Sequence, residues 1–330
     1  MSLRIGILGA ARIAASFMVG AKQCPRVEVV AVGCRDRARG EAFAAKHGVA
    51  RACTYDELIA DRGIDAIYNP LPNGLHAAWS IAAARAGKHV LCEKPLALSE
   101  AEAHSMFEAA DAANVILLEA FPYMFQPQTL EIERRIAAGE IGEVLSMQGA
   151  FGFAMRAKTK AEEPRLDPAI GGGAMFDVGC YPMSFARQIF GARPARVSAS
   201  ARWVDGTDRT LIASLEYPGG GLAQISCSFA SAGHRRALIV GTAGIIETDF
   251  ANHTDREPAH AFRIKRSTDH FAPFESVAVP REDGFKLETE AFVDMIEAAA
   301  RGDRTAERAR RTASLDNAWT TTAILDAARR

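Results

Sequence analysis

The sequence predicts two α/β domains in succession: residues 1–121 with a parallel sheet covered by helices, and residues 122–330 with a mostly antiparallel sheet. Three observations support this prediction. The chain has 330 residues, more than a single hydrophobic core usually organises. Short apolar runs alternate with helical stretches in the first third, which is typical of parallel sheets. Later runs of alternating apolar and polar residues follow one another directly, which favours antiparallel pairing.

The composition favours a small-molecule partner. Hydrophobic residues make up 48% of the chain and charged residues 24%, as in ordinary globular proteins. The net charge of −1 gives no general attraction to nucleic acid or to an anionic membrane. No uncharged apolar run is long enough to span a bilayer. The six cysteines lack metal-site spacing, so we expect reduced thiols, no metal and a cytoplasmic location.

The first element is an apolar strand that ends at a glycine. The run LRIGIL, from Leu3 to Leu8, stops at Gly9 and is followed by the helical stretch IAASFMVGAK. A second apolar run, VEVVAVG, begins at Val27 and completes a strand–helix–strand unit. Ligands of such sheets bind outside the carboxyl ends of the strands. Further strands are predicted at DAIYNP from Asp65, KHVLCEKP from Lys88 and NVILLEA from Asn114.

The turn after the first strand has most of a dinucleotide-binding fingerprint. Residues 9–14, GAARIA, occupy the frame G-x-G-x-x-G/A, with Ala11 where the middle glycine is expected. An alanine methyl narrows the approach of a pyrophosphate without blocking it. A tight turn that binds nothing is the alternative, but the flanking strand and helix favour a dinucleotide. The predicted cofactor-binding residues here are Gly9, Ala11, Arg12 and Ile13.

The end of the second strand indicates which dinucleotide is bound. An acid there accepts from a ribose 2′-hydroxyl, whereas an arginine can pair with a 2′-phosphate. Arg35 comes before Asp36, so we expect NADP to be preferred and NAD to be possible, with Cys34 and Arg35 at the cofactor. We interpret Arg37 and Arg39 as the solvated face of the next helix.

The second domain is predicted from strands separated by turns. The turns Val204-Asp205-Gly206 and Pro218-Gly219-Gly220-Gly221 are typical of connections between antiparallel strands. Two helices, at 285–301 and 305–328, close the chain. The predicted strands are EVLSMQGAFGF from Glu143, ARVSASARWV from Ala195, RTLIASLEY from Arg209 and GLAQISCSFAS from Gly221.

Four segments together resemble one enzyme family. They are CEKP (92–95), LEAF (118–121), RLDP (165–168) and GGGAMFDVGCYP (171–182). They are similar to the Gfo/Idh/MocA family of NAD(P)-dependent oxidoreductases, and most to its branch of NADP-dependent D-xylose dehydrogenases and dimeric dihydrodiol dehydrogenases. The resemblance implies a Rossmann domain followed by an α/β domain with a large open sheet. It also implies a homodimer or homotetramer formed through that sheet.

The glycine run precedes a predicted helix that carries the expected chemistry. A helix over 174–189 would place Asp177 and Tyr181 on one face, and the glycines would let the backbone turn tightly and approach a ligand. The resemblance implies that Tyr181 is the acid/base, that Lys94 assists it and that Asp177 positions the substrate. Alternatively, Tyr181 is a core residue, Lys94 a surface charge and Asp177 a helix cap.

The remaining site residues come from the resemblance. It implies cofactor contacts from Pro70, Asn73, His76, Glu93 and Lys94, although His76 is equally compatible with a solvent-facing helix position. It implies substrate contacts from Lys94, Tyr123, Arg165, Asp177 and Tyr181, although Arg165 lies in a segment that is also compatible with a disordered loop.

The chain departs from its branch at two positions. Met124 and Gln126 replace an arginine and a histidine that neighbour the active site in the family, which puts the usual substrate contacts in doubt and suggests a less polar substrate.

The expected reaction is hydride transfer between NADP(H), or NAD(H), and a hydroxyl or carbonyl carbon of a sugar, polyol or cyclic diol. A non-catalytic dinucleotide-binding regulator and a sugar oxidoreductase with tightly bound cofactor are the alternatives.

Overall fold

The computed structural model describes residues 2–249 and 261–330, which divide into two units. The N-terminal unit comprises 2–125 and 282–314, and the C-terminal unit comprises 126–249, 261–281 and 315–330. The predicted domain boundary, between residues 121 and 122, lies four residues before the observed boundary between 125 and 126. The predicted division differs in residues 282–314, which belong to the N-terminal unit because helix α8 contributes Phe285 and Phe292 to the core around Phe17 and Tyr68. An amphipathic pattern does not say which sheet a helix covers.

The N-terminal unit contains a six-stranded sheet in the order β3-β2-β1-β4-β5-β6, with every pair parallel. The strand order reverses between β1 and β4, where ligands of such sheets bind. The parallel sheet is therefore confirmed, although the three-residue strand β3 was not predicted. The strands are β1 Leu3–Leu8, β2 Val27–Gly33, β3 Arg51–Cys53, β4 Ala66–Asn69, β5 His89–Glu93 and β6 Leu117–Ala120; the helices are α1 Arg12–Ala21, α2 Arg37–His47, α3 Tyr55–Ala60, α4 His76–Arg85, α5 Glu100–Ala112 and α8 Gly284–Ala300.

The C-terminal unit is built on an eight-stranded open sheet in the order β14-β13-β12-β11-β7-β10-β9-β8. Only β7 and β10 pair in parallel, so the mostly antiparallel sheet is confirmed. The elements are α6 Pro127–Ala137, β7 Val144–Ala154, α7 Cys180–Phe190, β8 Arg196–Val204, β9 Thr207–Glu216, β10 Leu222–Ser228, β11 Ala230–Gly241, β12 Ile245–Thr248, β13 Ala261–Lys265 and β14 Glu275–Ala278; helix α9, Thr305–Arg329, has residues in both units.

Helix α7 covers one face of this sheet at close range. A Cβ atom on Gly149 of β7 would lie 2.8 Å from the Cβ of Pro182, so the glycine lets the helix approach the strand. Seven consecutive residues of α7, from Cys180 to Ala186, are buried. The helix that contains Tyr181 is therefore fixed against the centre of its own sheet. Within the described ranges, no helix has both the length and the apolar composition needed to cross a bilayer.

Candidate active site

The turn after β1 leaves the start of helix α1 open. Gly9 has φ +90°, a region that L side chains rarely adopt, and a Cβ there would lie 3.1 Å from Leu71. The N-cap residue of α1 is Ala11, which has extended backbone angles and makes no side-chain hydrogen bond to the helix. The first amides of α1 therefore have no side-chain cap and suit a phosphate. Helix α1 begins at Arg12, one residue before the predicted helical stretch, and Ala11 precedes it as the N-cap.

Two guanidinium groups lie beside this turn. Burial raises the pKa of Tyr55, and the nearby positive charge of Arg35 opposes that rise; the Tyr55 hydroxyl is 3.4 Å from the place of a Cβ on Gly9. Arg39 Nη2 donates to the carbonyl oxygen of Ala10 at 2.9 Å. Arg39 lies on α2 and is exposed, as predicted for a solvated helix face; in addition, its head group reaches back across 29 residues of chain to the glycine turn.

The neighbouring acid is engaged in capping a helix. The carboxylate of Asp36 accepts from the backbone N–H of Arg39 at 3.1 Å and caps α2. Arg37, by contrast, pairs with Glu41 and its side chain is 86% exposed, as predicted. The end of β2 thus offers two cations near the glycine turn, while its acid already accepts a helix amide.

The other predicted cofactor residues follow neighbouring strands at the same sheet edge. Pro70 and Asn73 follow β4, Cys34 follows β2, and Lys94 follows β5 and is partly buried. Because these strands are parallel, their carboxyl ends meet at one edge.

Glu93 and His76 are buried beneath this edge. Glu93 is 7% exposed, and its carboxylate accepts from the hydroxyl of Tyr68 at 2.6 Å and from the backbone N–H of Lys94 at 3.3 Å. His76 is 0% exposed, so the solvent-facing interpretation was wrong. Its Nδ1 lies 2.8 Å from the carbonyl oxygen of Pro95, and its Nε2 lies 2.7 Å from that of Leu71.

These contacts leave neither ring nitrogen of His76 for a dinucleotide, so the predicted direct cofactor contact is not supported. The ring instead joins the segments that follow β4 and β5. Burial lowers the pKa of His76, and a neutral ring donates to only one of the two carbonyls.

The glycine run of the C-terminal unit packs against protein atoms. Gly172 N–H donates to the carbonyl of Asp167 at 2.9 Å, and a Cβ on Gly172 would lie 2.7 Å from that residue's backbone N and O. Gly173 has φ +131°, and a Cβ there would overlap the carboxylate of Asp208. The tight turn was predicted correctly, but these contacts, rather than a ligand, account for Gly172 and Gly173.

The predicted helix over 174–189 begins with a π-helical turn. This turn covers Met175–Gly179, and α7 continues from Cys180; the two together are called the site helix below. Pro182 supplies the reason, because it has no N–H for the carbonyl four residues earlier and its ring clashes with that carbonyl. Asp177 lies in the first turn of the π segment, near the helix start as the helix-cap alternative expected, but the N-cap positions themselves are occupied by Ala174 and Gly179.

Asp177 is held by an arginine from the preceding loop. Arg165 Nη1 donates to Asp177 Oδ2 at 2.8 Å, and Arg165 Nη2 donates to Glu163 Oε2 at 2.9 Å. Burial disfavours the charged guanidinium, but these two carboxylates raise the pKa of Arg165 overall. Arg165 therefore belongs to an ordered ion-pair group. Arg165 also lies over the ring of Phe153 at 5.7 Å, and its contact with substrate stays a prediction.

Two predicted tyrosines are almost fully buried. Tyr181 is 2% exposed, and its ring lies 5.5 Å from that of Phe151 on β7. Tyr123 is 0% exposed and packs edge-on against Phe121 at 5.7 Å. Burial of Tyr181 agrees with the core-residue alternative; it also holds the phenol in one orientation, as an acid–base role would require.

The structure bears on the replacement of the family's arginine by Met124. Arg310 of α9 donates to the sulfur of Met124 at 3.2 Å and lies over the ring of Phe125 at 4.8 Å. A guanidinium is therefore present beside position 124, although it comes from a distant part of the chain. Gln126 is 0% exposed. No local pattern indicated Arg310, because its proximity to Met124 depends on how α9 packs.

Comparisons with known proteins agree with this architecture. The family model described as "Oxidoreductase family, NAD-binding Rossmann fold" matches residues 3–121, and the GFO/IDH/MocA C-terminal domain matches residues 129–247. A D-xylose 1-dehydrogenase (NADP(+)) of Haloferax volcanii is 38% identical over 298 residues, 89% of each chain. A trans-1,2-dihydrobenzene-1,2-diol dehydrogenase of Danio rerio is 36% identical over 252 residues, 75% of this chain and 74% of that protein.

Among solved structures, KijD10, a 3-ketoreductase from Actinomadura kijaniata in complex with NADP and TDP-benzene, superposes with a TM-score of 0.89. It is 28% identical, and the match covers 99% of this chain and 98% of that one. The chain belongs to the Gfo/Idh/MocA family and is an NAD(P)-dependent oxidoreductase acting on CH–OH groups.

Proposed function

We propose that the enzyme transfers a hydride between NADP(H) and a hydroxyl-bearing carbon of a monosaccharide, a polyol or a cyclic diol. The observation that carries the proposal is the site helix, on which Asp177 and Tyr181 stand four residues apart in one fixed orientation. The relatives described as D-xylose and dihydrobenzene-diol dehydrogenases support this range of substrates.

In this proposal Tyr181 moves the proton and Lys94 stabilises charge. The bound dinucleotide supplies the hydride acceptor or donor. The phenolate of Tyr181 takes the proton of the substrate hydroxyl during oxidation and returns it during reduction. The Lys94 ammonium hydrogen-bonds the reacting oxygen and favours the phenolate of Tyr181. Asp177, with one oxygen held by Arg165, accepts from a neighbouring substrate hydroxyl.

We also propose that NADP(H) is the preferred cofactor. The guanidinium groups of Arg35 and Arg39 lie near the glycine turn, and both are suited to a 2′-phosphate. Asp36, the residue that would select a 2′-hydroxyl, already accepts the amide that starts α2. The NADP in the KijD10 complex and the NADP-dependent xylose enzyme are consistent with this preference.

The proposed assembly is a homodimer or homotetramer formed through the open face of the C-terminal sheet. That face has a concavity of about 760 Å³ bordered by β7, β10, β11 and β12. Ile212 and Leu222 are 55% and 52% exposed on strands of this sheet, and exposed apolar surface of this kind favours association. Sedimentation of wild-type protein and of Ile212→Lys tests the proposal: a monomeric wild type would contradict it.

A spectrophotometric screen tests the proposed reaction. Aldoses, polyols and trans-diols are offered with NADP⁺ and with NAD⁺ at alkaline pH, and reduction of the cofactor is followed. We expect turnover with at least one class, faster with NADP⁺. Tight dinucleotide binding without turnover across the panel would favour a regulator. Cofactor that survives gel filtration would favour a cycle in which one bound dinucleotide is oxidised and reduced in turn.

A further inference from the structure

A buried carboxylate lies at the start of the site helix. Asp208, on β9, is 1% exposed, and its Oδ2 accepts from the backbone N–H of Met175 at 2.7 Å. Its other oxygen occupies the space that a side chain on Gly173 would need. Asp208 is 33 residues from Met175 in the sequence, so the contact joins the sheet to the helix.

This carboxylate acts as the cap that the site helix otherwise lacks. Neither Ala174, which precedes the π turn, nor Gly179, which precedes α7, makes a side-chain cap hydrogen bond. A helix start leaves several amides without partners, and a carboxylate there also interacts favourably with the helix dipole. Asp208 meets this need from outside the helix.

Burial of Asp208 is costly, which argues for a specific use. Burial raises the pKa of Asp208 to about 7, although the backbone amides of Met175 and Ala174 and the charge of Arg329 favour the ionised form. The thiol of Cys227, on β10, feels the same charge, and burial together with Asp208 raises its pKa. An acid in such surroundings is expensive to keep unless its hydrogen bonds matter.

We propose that Asp208 is a positioning residue that holds the site helix, and with it Asp177 and Tyr181, in the orientation that turnover requires. This inference rests on the proposed function of Tyr181. Met175 is the first residue of the π turn, Asp177 lies two residues later and Tyr181 six, so any shift at Met175 is passed directly to both side chains.

Two substitutions separate the effect of the Asp208–Met175 hydrogen bond from the effect of the size of the Asp208 side chain. In Asp208→Ala the cap is lost, and kcat should fall by about 10- to 100-fold, since a misplacement of about 1 Å can cost about 10²-fold. Asp208→Asn keeps one acceptor oxygen and should recover most of that loss. The Kd for NADP(H) should change by less than about twofold in both, because the predicted cofactor residues belong to the other unit.

Asp283→Ala is the matched control. Asp283 is 2% exposed and caps α8 by accepting from the amides of Phe285 and Lys286, so its loss removes an equally buried cap from a helix without a proposed catalytic residue. We expect a lower Tm in this control and a kcat within about twofold of wild type. Gly173→Ala, which would displace the Asp208 carboxylate, should reproduce the defect of Asp208→Ala.

Hydrogen exchange gives a readout that does not depend on turnover. The amides of 175–181 should exchange faster in Asp208→Ala but not in Asp283→Ala. If wild type turns over no substrate of the panel, the proposed function fails, while faster exchange still supports the hold on the helix. Unchanged kcat and exchange in Asp208→Ala, or an Asn variant as impaired as the Ala variant, would overturn the inference.

Discussion

The two glycine sites of this enzyme serve different purposes. Gly9 lies between a strand and a helix that are adjacent in the sequence, and its positive φ leaves the start of α1 open. Gly172 and Gly173 lie against Asp167 and Asp208, and their lack of side chains makes room for protein atoms. The first glycine turn leaves a helix start without a side-chain cap, where we propose that the cofactor binds, whereas the second lets distant segments pack closely around a helix.

This difference indicates which parts of the site a sequence can reveal. The cofactor side depends on strand, turn and helix in immediate succession, so the local pattern contains the information. The helix of Asp177 and Tyr181 depends on contacts from β9 and from the 163–168 loop.

Tyr181→Phe should lower turnover by about two to four orders of magnitude, because the substrate loses its proton acceptor. Binding of NADP(H) should be retained, since the phenol belongs to the C-terminal unit. Steady-state kinetics and a fluorescence titration of NADPH measure the two effects. As a control, Tyr217→Phe removes another buried phenol of the same unit (3% exposed) and should leave kcat unchanged. Similar rates in wild type and Tyr181→Phe would remove the catalytic assignment.

Arg35→Ala and Arg39→Ala should each weaken NADP(H) binding by roughly 1 to 3 kcal/mol, because each removes a charge-assisted hydrogen bond to the 2′-phosphate. That corresponds to about 5- to 150-fold in Kd. Binding of NAD(H) should change little. Isothermal titration with both dinucleotides gives the selectivity.

Arg37→Ala is the matched control for this pair, because Arg37 is on the same helix but pairs with Glu41 in solvent. It should leave both affinities unchanged. If the ratio of the NADP(H) and NAD(H) affinities stays unaltered in Arg35→Ala and Arg39→Ala, the end of β2 does not recognise the 2′-phosphate of the cofactor.

Gly9→Ala should weaken dinucleotide binding about tenfold, since an alanine at φ +90° costs about 1 to 2 kcal/mol and the turn must shift away from Leu71. Gly173→Ala should leave this affinity unchanged and reduce kcat instead. Measuring Kd and kcat for both variants compares the two glycine sites directly. A loss of NADP(H) affinity in Gly173→Ala would contradict the distinction.

Much of the fold is predictable because it follows local patterns. Strands β1 and β2 begin and end where their apolar runs do, and the turn Asp205-Gly206 has the positive φ angles that its residues suggest. Strands β11 to β14 were not predicted. Strands β12 to β14 have only four or five residues and leave little pattern, and the first half of β11 is largely exposed and lacks an apolar run. The placement of α8 with the N-terminal unit depends on which core receives Phe285.

The site was predicted less completely, for the same physical reason. Residue types at strand ends predict site roles for Lys94 and Arg35, and these roles stay predictions. Arg39 was correctly expected on an exposed helix face, but its contact with Ala10 was not foreseen because it arises only in the folded turn. Asp208 and Arg310 were missed altogether. Each acts on a segment far away in the chain, and no local spacing records that contact.

The central claim is that Lys94 and Tyr181 act on the same carbon in the same step. A double-mutant cycle with Lys94→Met and Tyr181→Phe tests it through kcat measured under single-turnover conditions. We predict that the double variant is about as slow as the slower single variant, because residues that act as a unit are not additive. If the fold-loss of kcat in the double variant equals the product of the two single-variant losses, the two side chains act independently, and the account is contradicted.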